Sequence, residues 1–136
     1  MPRPSRLEIT IGSDTRYLAA LRGMVGAFLA QAGNGRVGRA QVIACSMSLV
    51  EAVDNAIFHA HRNRKDFPIR IAFALHDGRI VMDVVDRGRG IGEPRPPEPD
   101  GYSTSGRGLH IIRESMSRVE SRVAGGEHRF RMIREL

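Results

Sequence analysis

Leu7, Ile9 and Ile11 alternate with polar neighbours, the period of a strand with one buried face. Ser13 and Asp14 follow with helix N-cap chemistry. Tyr17, Leu18, Leu21, Met24, Val25, Phe28 and Leu29 then recur at helical spacing, and Gly33-Asn34-Gly35 supplies a stop. A second helix is expected over about 37–62, with Ile43, Met47, Val50, Val53 or Asp54, and Ile57 tracing its faces. Pro68 marks a break. Ile69, Ile71, Phe73 and Leu75 alternate as a strand, Asp77-Gly78 is a hairpin turn, and residues 80–85 form a second strand rich in β-branched side chains. Leu109, Ile112, Met116 and Val119 predict a further helix. Residues 121–124, a Gly125-Gly126 turn and residues 129–133 predict a closing hairpin.

The order is strand, helix, helix, hairpin, loop, helix, hairpin. It predicts an α+β two-layer sandwich: a mostly antiparallel, mixed sheet covered on one face by helices. The loop is the stretch of different composition. Residues 90–106 hold Pro94, Pro96, Pro97 and Pro99, four of the seven prolines, and end in Ser103-Thr104-Ser105-Gly106. They read as a mobile loop rather than a core element. No internal repeat interrupts the pattern, and the 136 residues fit one domain spanning 1–136.

Composition narrows the functions. The single cysteine, Cys45, excludes an internal disulfide framework and a cysteine-built zinc site, and suits a reducing cytosol. The N-terminus lacks the apolar segment of a signal peptide. The longest apolar stretch, 18–32, is interrupted by Arg22 and too short to span a bilayer, so a cytoplasmic chain without a membrane partner is expected. A net charge of +6 suits an anionic partner. With aromatics at 5% and no stacking or groove-reading motif, it argues against direct nucleic-acid binding. Met24, Met47, Met82, Met116 and Met132 fall at apolar positions and read as core, as does Cys45. His76, His110 and His128 are scattered and receive no role.

Three motifs carry chemistry. Glu51, Asn55 and His59 are spaced four apart, so on one helix they form a slanting polar stripe among Val50, Val53 and Ile57. Asp86-Arg87-Gly88-Arg89-Gly90 puts a carboxylate at the end of a buried strand, where it can accept from a ligand amino group, and glycines after it, where backbone can approach that ligand. Gly106-Arg107-Gly108-Leu109 opens a helix, whose free amides and positive dipole end suit phosphate. Each has an ordinary structural explanation when taken alone: a solvated helix face, a turn, a helix start. Their joint order is far more specific.

The runs SLVEAVDNAIFHAH, DRGRGI and GRGLHII together resemble the ATP-binding domain shared by gyrase, histidine kinases and related ATPases. The Asn-Ala-x-x-His-Ala form of the helix motif is most similar to the anti-sigma factor serine/threonine kinases, which are bacterial partner-switching proteins. The similarity extends from Leu7 to Ile133. It implies a histidine-kinase-like ATPase fold with ATP and Mg2+ as cofactors. In this resemblance Asn55 holds magnesium through its side-chain oxygen, an arrangement that suits a hard cation retaining several waters. Asp86 binds the adenine amino group, and Gly88, Gly90 and Ile91 line the pocket. Gly106, Arg107, Gly108 and Leu109 close it together with a lid over about 91–107, and His59 borders its phosphate end. Glu51 is the catalytic base toward a serine on an anti-anti-sigma-type protein substrate. A sigma factor or other regulator is the sequestered partner, and a homodimer is the implied assembly.

Two departures from the family pattern stand out. Where the family often has Gly-Thr at the start of the last strand, with the threonine supporting adenine, this chain has Gly125-Gly126-Glu127-His128. The lid is also short and rich in proline. These departures motivate a second reading, a nucleotide-loaded module that holds a partner without phosphorylating it. A third reading, the catalytic piece of a histidine kinase, would need its phosphoacceptor histidine on another chain.

Overall fold

Alternation in Ser5–Gly12 (β1) turns Leu7, Ile9 and Ile11 to one side, and the chain repeats that device four more times. A computed structural model describes residues 5–60, 67–87 and 104–136. In it β1 is followed by helices α1 (Leu18–Gly33) and α2 (Arg39–Asn55), the hairpin β2 (Pro68–His76) and β3 (Arg79–Asp86), helix α3 (Thr104–Ser115), and the hairpin β4 (Arg118–Ala124) and β5 (Glu127–Glu135). The five strands form one sheet in the order β1-β2-β3-β5-β4. Every neighbouring pair is antiparallel, so the sheet has no mixed character. The helices pack on one side of it, as the α+β sandwich requires.

Local chemistry sets the boundaries. The Asp14 carboxylate accepts the Arg16 N–H at 3.0 Å and caps a short 3-10 turn, Thr15–Tyr17, before α1 begins. Asn34 ends α1 in the left-handed region at φ 50°, a conformation that asparagine tolerates better than most residues. Both hairpins turn on the residues expected of them, Asp77-Gly78 and Gly125-Gly126, all with positive φ. Pro68 opens β2, a strand position where its missing N–H costs least.

The core lies between the sheet and the helices. Leu21, Val25 and Leu29 of α1, Cys45, Leu49 and Val53 of α2, and Ile112 of α3 meet Ile69, Ile71, Phe73, Ile80, Met82, Val84, Phe130 and Met132 of the sheet. Arg134 of β5 adds a polar tie to both neighbouring helices, donating to the Gln41 side chain on α2 and to the Ser115 carbonyl at the end of α3. A cation at that end also complements the helix dipole. Burial pushes the Cys45 thiol up to about 11, so it stays protonated and acts as a small core side chain.

Several expectations shift. α2 is helical only to Asn55 and then widens into a π-helical turn, Ala56–Ala60. Ile43 and Met47 are nearly half exposed, because α2 uses its other faces against α1 and α3. Met47 is therefore not a core residue. Val119 belongs to β4, since α3 ends at Ser115 and only Met116 carries its apolar face further. Thr104, Ser105 and Gly106, read from sequence as loop, form the first turn of α3. Hydroxyl-bearing residues favour helix starts, and the cost of glycine in a helix, about 1 kcal/mol, is small beside the packing gained two residues later. Expected positions 61–62 of the second helix, and the lid over 91–103, lie outside the described residues. By length and composition Arg39–Phe58 could cross a membrane, but half of that stretch is buried inside the fold, as in a core helix.

Leu49 is fully buried between the layers. Leu49→Ala is expected to lower the unfolding free energy by about 2–5 kcal/mol, as read from the midpoint of urea denaturation at unchanged m-value.

Candidate functional site

α2 presents Glu51 and Asn55 one turn apart, both half-buried. Opposite them stands the start of α3. A Cβ placed on Gly108 would lie 2.7 Å from the Glu51 Oε2 and 3.6 Å from both side-chain polar atoms of Asn55. Two motifs separated by more than 50 positions in the chain thus meet at one point, and they meet because position 108 has no side chain. Gly108 is buried and Leu109 packs against the core, so the approach is fixed by the α2–α3 contact.

The π-turn begins immediately after Asn55. Such turns recur at functional sites because they redirect the side chains around them. The backbone of His59 lies within this turn, while its side chain is outside the described residues. Gly106 and Arg107 lie in the first turn of α3, where the amide groups have no partner within the helix; the Arg107 side chain is not among those described. Gly88, Gly90 and Ile91 lie outside the described residues altogether.

Electrostatics tune Glu51. Burial raises its carboxyl above the usual value, and the Asp54 carboxylate raises it further. The two sit three residues apart, on neighbouring positions of one helix face. A carboxylate biased toward holding a proton is a better proton acceptor than an ordinary surface glutamate.

Asp86 ends β3 on the helix-facing side, in line with Ile80, Met82 and Val84, and is 4% exposed. Its register partner on β5 is His128, which is 3% exposed. The His128 Nδ1 lies 3.3 Å from the Asp86 Oδ2, and its Nε2 lies 2.7 Å from the Ser121 Oγ on β4. Sequence reasoning gave His128 no role. No local signal could have found it: the glycine pair before it fixes only the register of β5 with β4, while the pairing with Asp86 is a long-range register between β5 and β3.

The residues fit a magnesium nucleotide. A carboxylate and a side-chain amide close in on Gly108 so tightly that a Cβ there would meet them, and α3 begins four residues earlier. Among the described residues no three His, Cys, Asp or Glu side chains group as a metal site. A cation here would have few protein ligands, which is the usual situation of magnesium on a bound triphosphate. A shallow cavity of about 140 Å³, lined by Arg6, Glu8, Arg70, Asp83, Arg129 and Arg131, lies on the open face of the sheet, away from these groups.

The profile of the histidine kinase-like ATPase domain matches residues 11–134. The chain belongs to that family. Within it, the similarity runs to anti-sigma factors. An anti-sigma F factor of Clostridium botulinum is 29% identical over 96 residues, covering 70% of this chain and 65% of that protein. One from Clostridium beijerinckii is 26% identical over 122 residues, covering 85% of this chain and 83% of that protein. The matched stretch therefore spans less than two-thirds of the length of the C. botulinum relative. Among solved structures, the RsbU and RsbW domains of a Mycobacterium tuberculosis protein superpose with a TM-score of 0.71 at 20% identity, over 99% of this chain and 33% of that one. The histidine kinase domain of a blue-light activated kinase from Erythrobacter litoralis gives 0.57 at 19% identity, over 85% of this chain and 61% of that one. These two likenesses establish the fold of this ATPase-domain protein.

Gly108→Ala separates site from scaffold. Alanine is the better helix former by about 1 kcal/mol, and the atom its Cβ meets is the movable end of Glu51. The melting temperature is expected to hold or rise, while calorimetric affinity for magnesium–ATP falls at least tenfold.

Proposed function

We propose that this chain is an ATP-dependent serine/threonine protein kinase acting as an anti-sigma factor or similar partner-switching regulator. The observation that carries the reading is the convergence of Glu51, Asn55 and Gly108 at one point. Similarity to anti-sigma F factors supplies the class of partner: a sigma factor or other regulator to sequester, and an anti-anti-sigma-type protein to phosphorylate.

Phosphoryl transfer asks a protein chiefly for positioning, charge neutralisation and an oriented nucleophile. Asn55 would hold Mg2+ through its amide oxygen, and the ion supplies neutralisation of phosphate charge. The amides of the first turn of α3, with Gly106 and Arg107, receive phosphate oxygens. Asp86 accepts from the adenine amino group, with Gly88, Gly90 and Ile91 beside it. His59 borders the phosphate end, and Leu109 anchors α3 to the core. Glu51 accepts the proton of the substrate serine as its oxygen bonds to the γ-phosphorus and the bond to ADP breaks. The family's mode of assembly makes a homodimer part of this reading, and a cytoplasmic setting goes with the partners named.

The second reading, a nucleotide-loaded module without transfer, rested on the missing threonine and the short, proline-rich lid. His128 beside Asp86 weakens the first of these motives, because a polar partner does stand at the carboxylate.

Two measurements test the kinase reading. Magnesium–ATP binding by calorimetry should collapse in Asp86→Asn. Transfer to the cognate antagonist, followed as acid-stable phosphoserine, should fall by a factor of about 10² or more in Glu51→Gln; unchanged transfer would remove Glu51 from the mechanism. The pH dependence has a definite sign. Glu51 acts as base only when ionised and its folded pKa is raised, so the acid limb of transfer should lie above the ordinary glutamate value and disappear in the glutamine variant. The same shift means the fold binds that proton more tightly than the unfolded chain, so ionising Glu51 as pH rises removes stability. Glu51→Gln should therefore be at least as stable as the parent at neutral pH.

A further inference from the structure

The relay Asp86–His128–Ser121 is built across three strands. β5 sits between β3 and β4, and His128 is directly opposite Asp86 on one side and Val123 on the other. Ser121, two residues from Val123, is its diagonal neighbour on the same face. The His128 ring also packs against Phe130, with centroids 6.4 Å apart and planes tilted by 42°, which limits its rotation. A nearly inaccessible carboxylate is thereby connected, through a nearly inaccessible imidazole, to a hydroxyl on an exposed edge-strand residue.

We propose that His128 is a positioning residue that sets nucleobase specificity by holding the Asp86 carboxylate oriented toward an amino group. The inference rests on the ATP-binding reading above and adds to it the group that stands where the family's threonine is missing. A carboxylate can only accept, so the imidazole nitrogen facing it must carry a proton. In the neutral ring that leaves Nε2 as an acceptor, and the Ser121 hydroxyl donates to it at 2.7 Å. The hydroxyl, which can donate as well as accept, thus accommodates the tautomer that serves the carboxylate. A fixed acceptor favours a purine with a 6-amino group, which donates, over one with a 6-oxo group, which presents a second acceptor to the carboxylate. Sites built around such a hydrogen bond discriminate strongly against analogues that lack the donor. His128 touches no reacting atom; it acts through Asp86.

The test compares binding of ATP and of inosine triphosphate, its 6-oxo analogue, by calorimetry with magnesium in wild type, His128→Ala, His128→Asn and Ser121→Ala. Melting temperatures are recorded alongside. Imidazole ¹⁵N shifts of the nucleotide-free protein report the tautomer independently. The expected result is a preference for ATP in wild type that falls about tenfold or more in His128→Ala, on the scale of one hydrogen bond to a charged group. Asparagine, which can still donate to Asp86, should recover much of the preference, and Ser121→Ala should show a smaller loss. His128 should appear protonated on Nδ1. Rescue by asparagine distinguishes positioning from a loss of packing, which would lower stability in both His128 variants without moving the ratio of the two nucleotides. An unchanged ATP-to-inosine triphosphate ratio in His128→Ala and His128→Asn, or a neutral ring protonated on Nε2, would overturn the proposal. If wild type binds neither nucleotide, the ATP-binding reading fails and the specificity claim with it; the Nδ1 proton in the spectrum would then show that the relay itself is formed.

Discussion

The functional geometry of this chain depends on how closely α3 can approach α2. That distance is set at Gly108, where even a methyl group would press on the Glu51 carboxylate. A longer side chain there would push the start of α3 away from Glu51 and Asn55. It would separate the helix amides from the carboxylate and the amide that together make the site. Glu51 and Asn55 are half-buried on a core helix, and burial makes the Glu51 carboxyl bind its proton more tightly.

The sheet supplies the second fixed point. Antiparallel register is specified by which side of each strand is apolar, and a slip of one residue would reverse every side chain. Burial of Ile80, Met82 and Val84 therefore commits Asp86 to the helix-facing side, and burial of Phe130 and Met132 does the same for His128. The polar pair follows from apolar choices made elsewhere on the same strands. A buried carboxylate without partners would be costly. Here the cost is offset by a partner that the long-range β3–β5 register delivers.

Much of this was legible in the chain. Alternation located the strands, and the two glycine-containing turns located both hairpins, because each signal reports a local constraint of backbone geometry. The motifs announced Glu51, Asn55, Asp86 and the glycines of α3, and of these Glu51 and Asn55 lie around Gly108. The misplacements share a cause in tertiary context. Ile43 and Met47 fit a helical period, but a helix in contact with α1, α3 and the sheet still leaves one strip uncovered, and periodicity does not say which. The π-turn after Asn55 has no distinctive residue, since Ala, Ile and Phe suit any helix. Ser-Thr-Ser-Gly suits a loop and a helix start equally, and the α2–α3 contact decided for the helix. His128 went unassigned because its importance lies in what it faces across the sheet, and facing is a property of register rather than of sequence neighbourhood.

Placement also shows where part of the positive charge is engaged. On the open face of the sheet, Arg6 meets Glu8, Arg70 meets Glu127, and Arg131 grips Asp83 with two hydrogen bonds of 2.8 and 2.9 Å. Arg118 meets Glu120 on β4 at 2.8 Å. Many of the arginines are thus committed to carboxylates across or along strands, on the side away from Glu51, Asn55 and Asp86. Where they are not, as with Arg122 directly opposite Arg129, two like charges face each other at some cost to the sheet. An arginine paired with a carboxylate adds nothing to net charge, so the excess of this chain is not a property of these pairs. Basic residues also lie off the sheet, with Arg22 on α1, Arg39 on α2 and Arg107 in the first turn of α3, where the phosphate role is proposed.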